Sequence, residues 1–298
     1  MFRASALCQP YGRADTKYVR LQVATAIAAL LLAACSGTAN PSLGALNPDR
    51  IVAPKTGGAT MLLDEEFTAP KLDTNLWFTC YTWVNPGQRC TNGGNLELEW
   101  YEAQNVTIAN GIAALTADSH PQTRSHPFTS GMIQTGGTLS TKPTFAFRYG
   151  YAEIRAKLPR GAGMWPAFWL VQANRQWPPE IDIMEWQGVD PTTDVVTTHW
   201  KDANGNHQQS STGVNTGLDL WQAYHTYAAD WEPNAITWYF DGKPIKRFTE
   251  KRWIPNKPMI VIANLAIGGW EKGQLTPHAN DFPATFAIDY IRIWNKKP

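Results

Sequence analysis

The segment from Met61 to the end of the chain consists of short stretches in which apolar and polar residues alternate, separated by turn residues. Alternation with a period of two is typical of β-strands that bury one face, and there is little helical periodicity. Asn110-Gly111 separates two such stretches, Asp241-Gly242 follows another, and residues 286–294 form the last; both dipeptides favour hairpin turns. Because no linker interrupts this pattern, we expect one all-β domain over 61–298, a two-sheet antiparallel β-sandwich or jelly roll.

The N-terminal segment has the features of an export signal. Residues 21–34 form an apolar run, preceded by Arg13, Lys17 and Arg20, that is too short to span a bilayer but typical of a signal peptide. The run ends in Leu-Ala-Ala-Cys at Cys35, which resembles the bacterial lipobox, where cleavage precedes a cysteine that is then acylated. An ordinary secretory signal that is cut nearby is the alternative. We expect an exported lipoprotein of the bacterial cell envelope, periplasmic or on the outer surface.

This interpretation divides the chain into three parts. Residues 1–34 are the signal peptide, and a lipid on Cys35 attaches the mature protein to a membrane. Residues 35–60 are rich in Ser, Gly, Asn, Pro and Ala, which predicts a flexible tether. The folded domain then occupies 61–298.

The composition restricts the class of partner. The formal net charge is +1, so the chain lacks the dense Lys/Arg surface that nucleic-acid binding requires, and we expect no nucleic-acid partner. The sequence contains 14 tryptophans, whose flat apolar faces suit the CH-rich faces of sugar rings. Tryptophan also fills the cores of sandwiches, and we expect about half of these residues to be structural.

Cys80 and Cys90 are the only cysteines in the predicted domain. In an oxidising compartment we expect them to form a disulfide, and two free thiols are the alternative. We do not expect a metal site at this pair, because no His/Cys cluster with ligand spacing accompanies it.

Residues 178–186 contain the acidic side chains Glu180, Asp182 and Glu185. In a regular strand the first two share one face while the intervening isoleucines enter the core. Glu185 would then also face the core, where a carboxylate is costly. A bulge of one residue near Met184 restores its parity. The segment therefore predicts a bulged strand with all three carboxylates on one open face.

Three carboxylates that face one way repel one another, so at least one is expected to hold a proton near neutral pH. A retaining glycosidase uses this inequality: an ionised carboxylate is the nucleophile, and a protonated one about 5–5.5 Å away assists the leaving group. The alternatives are a calcium-binding acidic strand and a charged solvent face. The alternating isoleucines and the nearby tryptophans disfavour both, so we interpret the segment as a glycosidase active site.

The sequence Glu-Ile-Asp-Ile-Met-Glu at 180–185 resembles the signature of glycoside hydrolase family 16, in the bulged form of its laminarinase-type members. Similarity to this family extends over nearly all of the predicted domain, through Leu63–Phe67, Ser130-Gly131, Tyr149–Arg155, Gly163–Trp169, His225–Tyr227, Asn264–Trp270 and Asp289–Arg292. The resemblance implies a sandwich with a substrate cleft on its concave face. It also implies that Glu180 is the nucleophile, Glu185 the general acid and then base, and Asp182 the partner that orients the nucleophile.

The resemblance further implies substrate-binding residues. Glu153 and Arg155 match residues that hydrogen-bond sugar hydroxyls in the donor subsites, and a surface ion pair is the alternative. Trp165, Trp169 and Trp270 match cleft aromatics that stack on sugar faces. For Trp169 a role in the core is the alternative.

His199 matches a polar residue near the nucleophile, on the strand after the catalytic one, although a lone histidine is often structural. Members of this family often carry a calcium ion on the convex face, and Glu66 and Asp289 match its ligands. We expect this calcium to be structural, and we expect no cofactor for catalysis.

These observations predict a monomeric endo-hydrolase of β-1,3- or mixed β-1,3/1,4-glucan that acts with retention through a glycosyl-enzyme intermediate. Three alternatives remain open. The lead-in Trp177-Pro178-Pro179 also resembles family members that trim bacterial exopolysaccharides. A transglycosylase would use the same intermediate with a sugar as acceptor. A non-catalytic carbohydrate-binding lipoprotein would need to have lost a catalytic acid, whereas all three are present.

Overall fold

A computed structural model describes residues 58–85, 87–120, 125–269 and 277–298. These residues belong to one structural unit. The predicted signal peptide, Cys35 and nearly all of the predicted tether lie outside the described residues. Within the described ranges, no helix is long and apolar enough to cross a membrane.

Strands make up most of the described secondary structure. In chain order they are β1 (Met61–Glu65), β2 (Glu99–Tyr101), β3 (Val106–Ala109), β4 (Ile112–Ala117), β5 (Phe128–Ser130), β6 (Met132–Gln134), β7 (Gly150–Lys157), β8 (Met164–Gln172), β9 (Glu180–Glu185), β10 (Thr193–Lys201), β11 (His207–Asn215), β12 (His225–Trp231), β13 (Ile236–Phe240), β14 (Lys243–Phe248), β15 (Met259–Ile267) and β16 (Ala284–Trp294). Short 3-10 helices lie at Gly93–Asn95, Ala103–Asn105, Lys251–Trp253 and Ala279–Asp281. This content confirms the predicted all-β class.

Two antiparallel sheets pack face to face. One has eight strands in the order β14-β13-β12-β7-β16-β4-β3, with β1 pairing with β16, and the other has six in the order β11-β10-β9-β8-β15-β6. A small parallel pair joins β2 and β5. Ile154 on β7, Ile291 on β16 and Ile183 on β9 are among the buried residues that meet between the large sheets. This is the predicted sandwich, and its apolar core leaves the outer face of each large sheet available for polar side chains.

Both predicted hairpin turns are present. Asn110 and Gly111 connect β3 to β4 with φ values of 52° and 75°. Asp241 and Gly242 connect β13 to β14 with φ values of 46° and 73°. Positive φ at both central residues is typical of type I′ turns, whose twist matches that of the paired strands. The dipeptides therefore set these two hairpins locally.

The chain between β1 and β3 covers part of the outer face of the six-stranded sheet. Cys80 and Cys90 are joined by a disulfide, with their Cα atoms 5.6 Å apart. Tyr81 and Cys90 pack in a second apolar cluster with Trp169 and Ile262, which belong to the sheet. The disulfide-closed loop is thereby fixed against one end of this face.

Candidate active-site cleft

Strand β9 carries the bulge that the sequence predicts. Asp182 pairs with Thr197 of β10 and Glu185 pairs with Val195, so three steps along β9 correspond to two along β10. The register towards β8 shifts at the same place. The consecutive residues 183–184 are both buried in the core between the sheets. The extra residue thus returns Glu185 to the outer face.

Side chains of the facing sheet hydrogen-bond the backbone beside the bulge. Trp238 Nε1 donates to the carbonyl oxygen of Asp182 at 2.8 Å, and Lys246 Nζ donates to that of Val196 at 3.1 Å. The Lys246 ammonium lies 4.9 Å from the Trp238 ring centroid, and burial lowers the pKa of Lys246 to about 8. Because a bulge interrupts the strand ladder, these donors satisfy polar groups that buried backbone must pair.

The three acids line a cleft of about 720 Å³ on the outer face of the six-stranded sheet. Asp182 is 3% exposed and Glu185 is 9% exposed, and Glu180 is partly buried. Other cleft-lining residues include Tyr81, Trp83, Asn92, Asn95, Glu97, Trp165, Trp169, Arg175, Trp177, Thr197, His199 and Asn264. The cleft therefore combines clustered carboxylates with aromatic walls.

Burial and mutual repulsion raise the pKa of two of these acids. Burial is the largest cause at Glu180, and the charge of Asp182 adds to it, while Trp177 Nε1 opposes it by donating to Oε2 at 3.1 Å. Burial is again the largest cause at Glu185, followed by the charges of Asp182 and Glu180. There the opposing donor is Trp165 Nε1, 3.2 Å from Oε1. The cleft thus favours a state in which fewer than three of the carboxyls are ionised.

His199 joins two of the acids into one cluster. Its Nε2 lies 2.9 Å from Asp182 Oδ2 and 3.5 Å from Glu180 Oε1. Its Nδ1 lies 2.9 Å from Nε2 of His207 on β11. Within the described ranges, Glu180, Asp182 and His199 are the one group of three with ligand atoms close enough to hold a metal ion. The imidazole thus links the carboxyls of Glu180 and Asp182 to His207 on the neighbouring strand.

Trp165 and Trp169 lie on the cleft side of β8, as predicted from the resemblance, but in different environments. Trp165 is partly buried and donates to Glu185, so it reaches the acids directly. Trp169 is 8% exposed, donates to Asn264 Oδ1 at 2.8 Å and packs in the apolar cluster below the loop. It therefore lines the cleft and also stabilises its floor. Trp270 lies outside the described residues.

A further buried acid in the cleft was not identified from the sequence. Glu97 is 4% exposed and accepts hydrogen bonds from Tyr81 Oη at 3.3 Å, from the Asn92 backbone N–H at 3.2 Å and from Asn95 Nδ2 at 3.3 Å. Its carboxyl also hydrogen-bonds that of Glu99, and burial raises the pKa of both. The signal was present as Glu-Leu-Glu at 97–99, the same alternation that marks 180–182.

Trp177 and His207 were also not among the predicted site residues. The Trp177 ring is 49% exposed, and its centroid lies 6.0 Å from that of His199 and 4.8 Å from that of His207. Trp177 lies three residues before Glu180, with two prolines between them. The sequence signal for this contact was a tryptophan placed three residues before the first catalytic carboxylate.

Glu153 and Arg155 do not line the cleft, which corrects the expectation from the resemblance. Both lie on β7 of the eight-stranded sheet with Ile154 between them in the core, so their side chains point away from the six-stranded sheet. Glu153 Oε1 accepts a hydrogen bond from Tyr290 Oη at 2.8 Å. Arg155 Nη1 donates to Asp289 Oδ2 at 2.7 Å. Arg155 thus forms an ion pair, which was the alternative interpretation for these two residues, and this ion pair is buried.

The predicted calcium ligands are each engaged by an arginine. Glu66 Oε1 lies 2.7 Å from Arg292 Nε, and Asp289 Oδ2 lies 2.7 Å from Arg155 Nη1. These pairs offset the negative charge that attracts calcium to carboxylates. No group of three metal-binding side chains in the described part of the chain includes either acid. Calcium at Glu66 and Asp289 would have to compete with these ion pairs, and the site stays a prediction.

Comparisons with known proteins agree with this geometry. The family model for glycosyl hydrolases family 16 matches residues 92–292. The glucan endo-1,3-beta-glucosidase A1 of Niallia circulans is 31% identical over 265 residues, covering 82% of this chain and 39% of that protein. The endo-1,3-1,4-beta-glycanase EglC of Rhizobium meliloti strain 1021 is 31% identical over 250 residues, covering 79% of this chain and 52% of that protein.

A solved structure is similar as well. The laminarinase catalytic domain from Thermotoga maritima MSB8 superposes with a TM-score of 0.68 at 28% identity, covering 80% of this chain and 99% of that one. The chain spans only 39% and 52% of the length of the two relatives above. The family match nevertheless includes most of both sheets and the whole of the bulged strand β9. This chain belongs to glycosyl hydrolases family 16.

Proposed function

We propose that this protein is an endo-hydrolase that cuts β-1,3- or mixed β-1,3/1,4-glucan with retention of configuration. The observation that carries the proposal is the bulge of β9, which brings Glu180, Asp182 and Glu185 onto one face of a cleft with aromatic walls. A cleft along a sheet face suits an internal segment of a polymer. The names of the two relatives, an endo-1,3-beta-glucosidase and an endo-1,3-1,4-beta-glycanase, support this substrate class.

The hydrogen-bond donors around the acids support the assignment of roles. Glu180 accepts a hydrogen bond from Trp177 Nε1 and also has His199 Nε2 3.5 Å from its Oε1. Trp165 is the one side-chain donor to Glu185 in the described part of the chain. Donors stabilise the ionised form of a carboxyl. The negative charge is therefore favoured at Glu180, the nucleophile, and the proton at Glu185, the acid.

Catalysis then proceeds in two steps. Glu180 attacks the anomeric carbon while Glu185 protonates the departing glycosidic oxygen, which gives a glycosyl-enzyme intermediate. Glu185, now ionised, removes a proton from water as the water attacks that intermediate. Asp182 orients the nucleophile, and its own Oδ2 lies 2.9 Å from Nε2 of His199.

Replacement of the nucleophile tests the mechanism. Glu180→Ala should abolish hydrolysis of laminarin, and added azide should restore turnover as a glycosyl azide of inverted configuration. Glu185→Ala should slow substrates with poor leaving groups much more than activated aryl glycosides, since general-acid assistance matters least when the leaving group departs easily. Full activity of Glu180→Ala, or equal losses on both leaving-group classes in Glu185→Ala, would contradict these roles.

A product profile tests the substrate. Purified protein is incubated with laminarin, lichenan and a β-linked bacterial exopolysaccharide, and the released reducing ends are measured together with product length. Preference for the exopolysaccharide would identify a depolymerase, and products longer than the starting chains would identify a transglycosylase. Absence of turnover on the whole panel would instead favour a carbohydrate-binding protein.

We also infer that the mature protein is exported, held at a membrane by a lipid on Cys35, and monomeric. The lipobox-like sequence before Cys35 and the apolar run at 21–34 support the first two points. Cys35→Ser should release the protein from the membrane fraction of its bacterial host. Unchanged membrane association would contradict the anchor, and a dimer mass in light scattering would contradict the monomer.

A further inference from the structure

A second cavity lies beside the cleft, and we call it the rear groove. It has a volume of about 720 Å³ and is lined by residues from 172–179, 200–201 and 252–258, together with Pro143. The rear groove and the cleft share no lining residue. Trp177 lines the cleft whereas Pro178 and Pro179 line the rear groove, so this short segment forms the wall between them.

Two tryptophans form an aromatic surface in the rear groove. The ring centroids of Trp200 and Trp253 are 6.2 Å apart, and the ring planes differ by 22°. Both side chains are partly buried, and Phe248 supports Trp200 from within, with ring centroids 5.3 Å apart. By contrast, the core tryptophan Trp231 is 1% exposed. The exposed parts of these two nearly parallel rings suit the CH face of a sugar ring.

The charge of the rear groove is positive. Lys201, Arg252 and Lys257 line it and are exposed, and no acidic residue is among its lining residues. None of the three forms an ion pair with another described residue. The Arg252 guanidinium lies 4.5 Å from the Trp253 ring centroid, which holds a cation against the aromatic surface. The cleft has the opposite character, with four carboxylates and one arginine in its lining.

We propose that the rear groove binds an acidic polysaccharide. Uronic-acid rings pack against the exposed parts of Trp200 and Trp253, and their carboxylates pair with the surrounding cations. The amides of Gln176 and Asn256, which also line the groove, supply hydrogen bonds for hydroxyl groups. This site goes beyond the proposed hydrolysis, because an anionic chain is repelled by the acidic cleft and retained by the rear groove. It would hold the catalytic domain on an acidic matrix that contains its neutral substrate.

Affinity electrophoresis tests this proposal with alginate as the anionic glycan. The native protein is run in gels with increasing alginate at low ionic strength and again in about 0.5 M salt, which screens exposed charges. The test variant is Lys201→Ala/Lys257→Ala. The matched control is Lys243→Ala/Lys251→Ala, which removes the same charge from exposed lysines that do not line the rear groove.

We expect retardation of the native protein by alginate that is lost at high salt. The test variant should bind about five- to tenfold more weakly, since each exposed charge pair contributes modestly, while the control variant should stay within about twofold of the native protein. Laminarin hydrolysis should be unchanged in the test variant, so the result does not depend on the proposed activity of the cleft.

Three results would overturn the proposal. The first is the absence of retardation at low salt. The second is an equal loss of affinity in the test and control variants, which would indicate binding to the general surface charge. The third is displacement of alginate by inorganic polyphosphate at equal charge concentration but not by oligoguluronate, which would identify an anion patch without selectivity for sugars.

Discussion

The hydrogen bond between Trp165 and Glu185 offers a quantitative test of how the cleft sets the charge of its acid. Trp165 Nε1 lies 3.2 Å from Glu185 Oε1 and is the one side-chain donor to this carboxyl among the described residues. Trp165→Phe removes the donor and keeps an aromatic ring. A hydrogen bond to a charged group contributes about 1.5 kcal/mol at the weaker end of the range, which suits this long contact. At about 1.4 kcal/mol per pKa unit, its loss amounts to about one unit.

The direction of the pKa shift depends on which protonation state of Glu185 the hydrogen bond stabilises. The indole N–H stabilises the carboxylate more than the neutral acid, so its removal raises the pKa of Glu185 further above its usual range. The proposed mechanism needs Glu185 protonated in the first step. The alkaline limb of the kcat/KM profile should therefore move to higher pH by about one unit in Trp165→Phe.

The measurement is kcat/KM for laminarin hydrolysis from about pH 4 to about pH 10, which reports the ionisation of the free enzyme. Trp169→Phe is the matched control, because it makes the same chemical change on the same strand, but its Nε1 donates to Asn264 at 2.8 Å rather than to an acid. The control should change the height of the profile and not its alkaline midpoint. An unmoved or lowered midpoint in Trp165→Phe, or equal shifts in both variants, would refute the reasoning.

Three further outcomes are expected. Burial raises the pKa of the Asp194 carboxyl well above its usual range, so the folded state keeps a proton that the unfolded chain loses above about pH 4, and stability falls as pH rises. The Asp194→Asn variant has no such proton to lose and should therefore gain stability relative to the native protein as pH rises above about 4 in urea unfolding. A pH-independent difference would contradict this. The cysteines of the Cys80–Cys90 disulfide are 10 residues apart, and its reduction should lower the free energy of unfolding by about 3 kcal/mol. Reductant should have no effect on the stability of the Cys80→Ser/Cys90→Ser variant. Glu153→Gln should leave kcat and KM for laminarin within about twofold of the native values, because Glu153 lies on the eight-stranded sheet, away from the cleft. A large rise in KM would instead support the substrate-binding role expected from the resemblance.

Local patterns predicted the strands and the catalytic segment well. The Asn110-Gly111 and Asp241-Gly242 hairpins form where the dipeptides favour positive φ, a preference that the turn residues carry themselves. The bulge in β9 was also predictable, since a regular strand would have buried the Glu185 carboxylate in the core. In each case the free-energy cost of the competing conformation is set by a few residues that are neighbours in the sequence.

Only the tertiary structure shows which sheet a strand joins and which residues lie opposite it. Glu153 and Arg155 have the alternation of cleft residues, but β7 belongs to the eight-stranded sheet, so the same parity turns them away from the cleft. Glu97 enters the cleft only because the loop that precedes β2 packs on the other sheet.

Sequence patterns were therefore sufficient to predict the all-β class, the positions of the hairpins and the clustering of three acids on one strand face. Only the folded chain shows that Trp177 contacts the nucleophile and that His207 lies behind His199. It also shows that arginines engage the predicted calcium ligands and that a basic groove lies behind the cleft wall. The reason is that alternation specifies a side of a strand, whereas the partner on that side comes from chain segments far away in sequence.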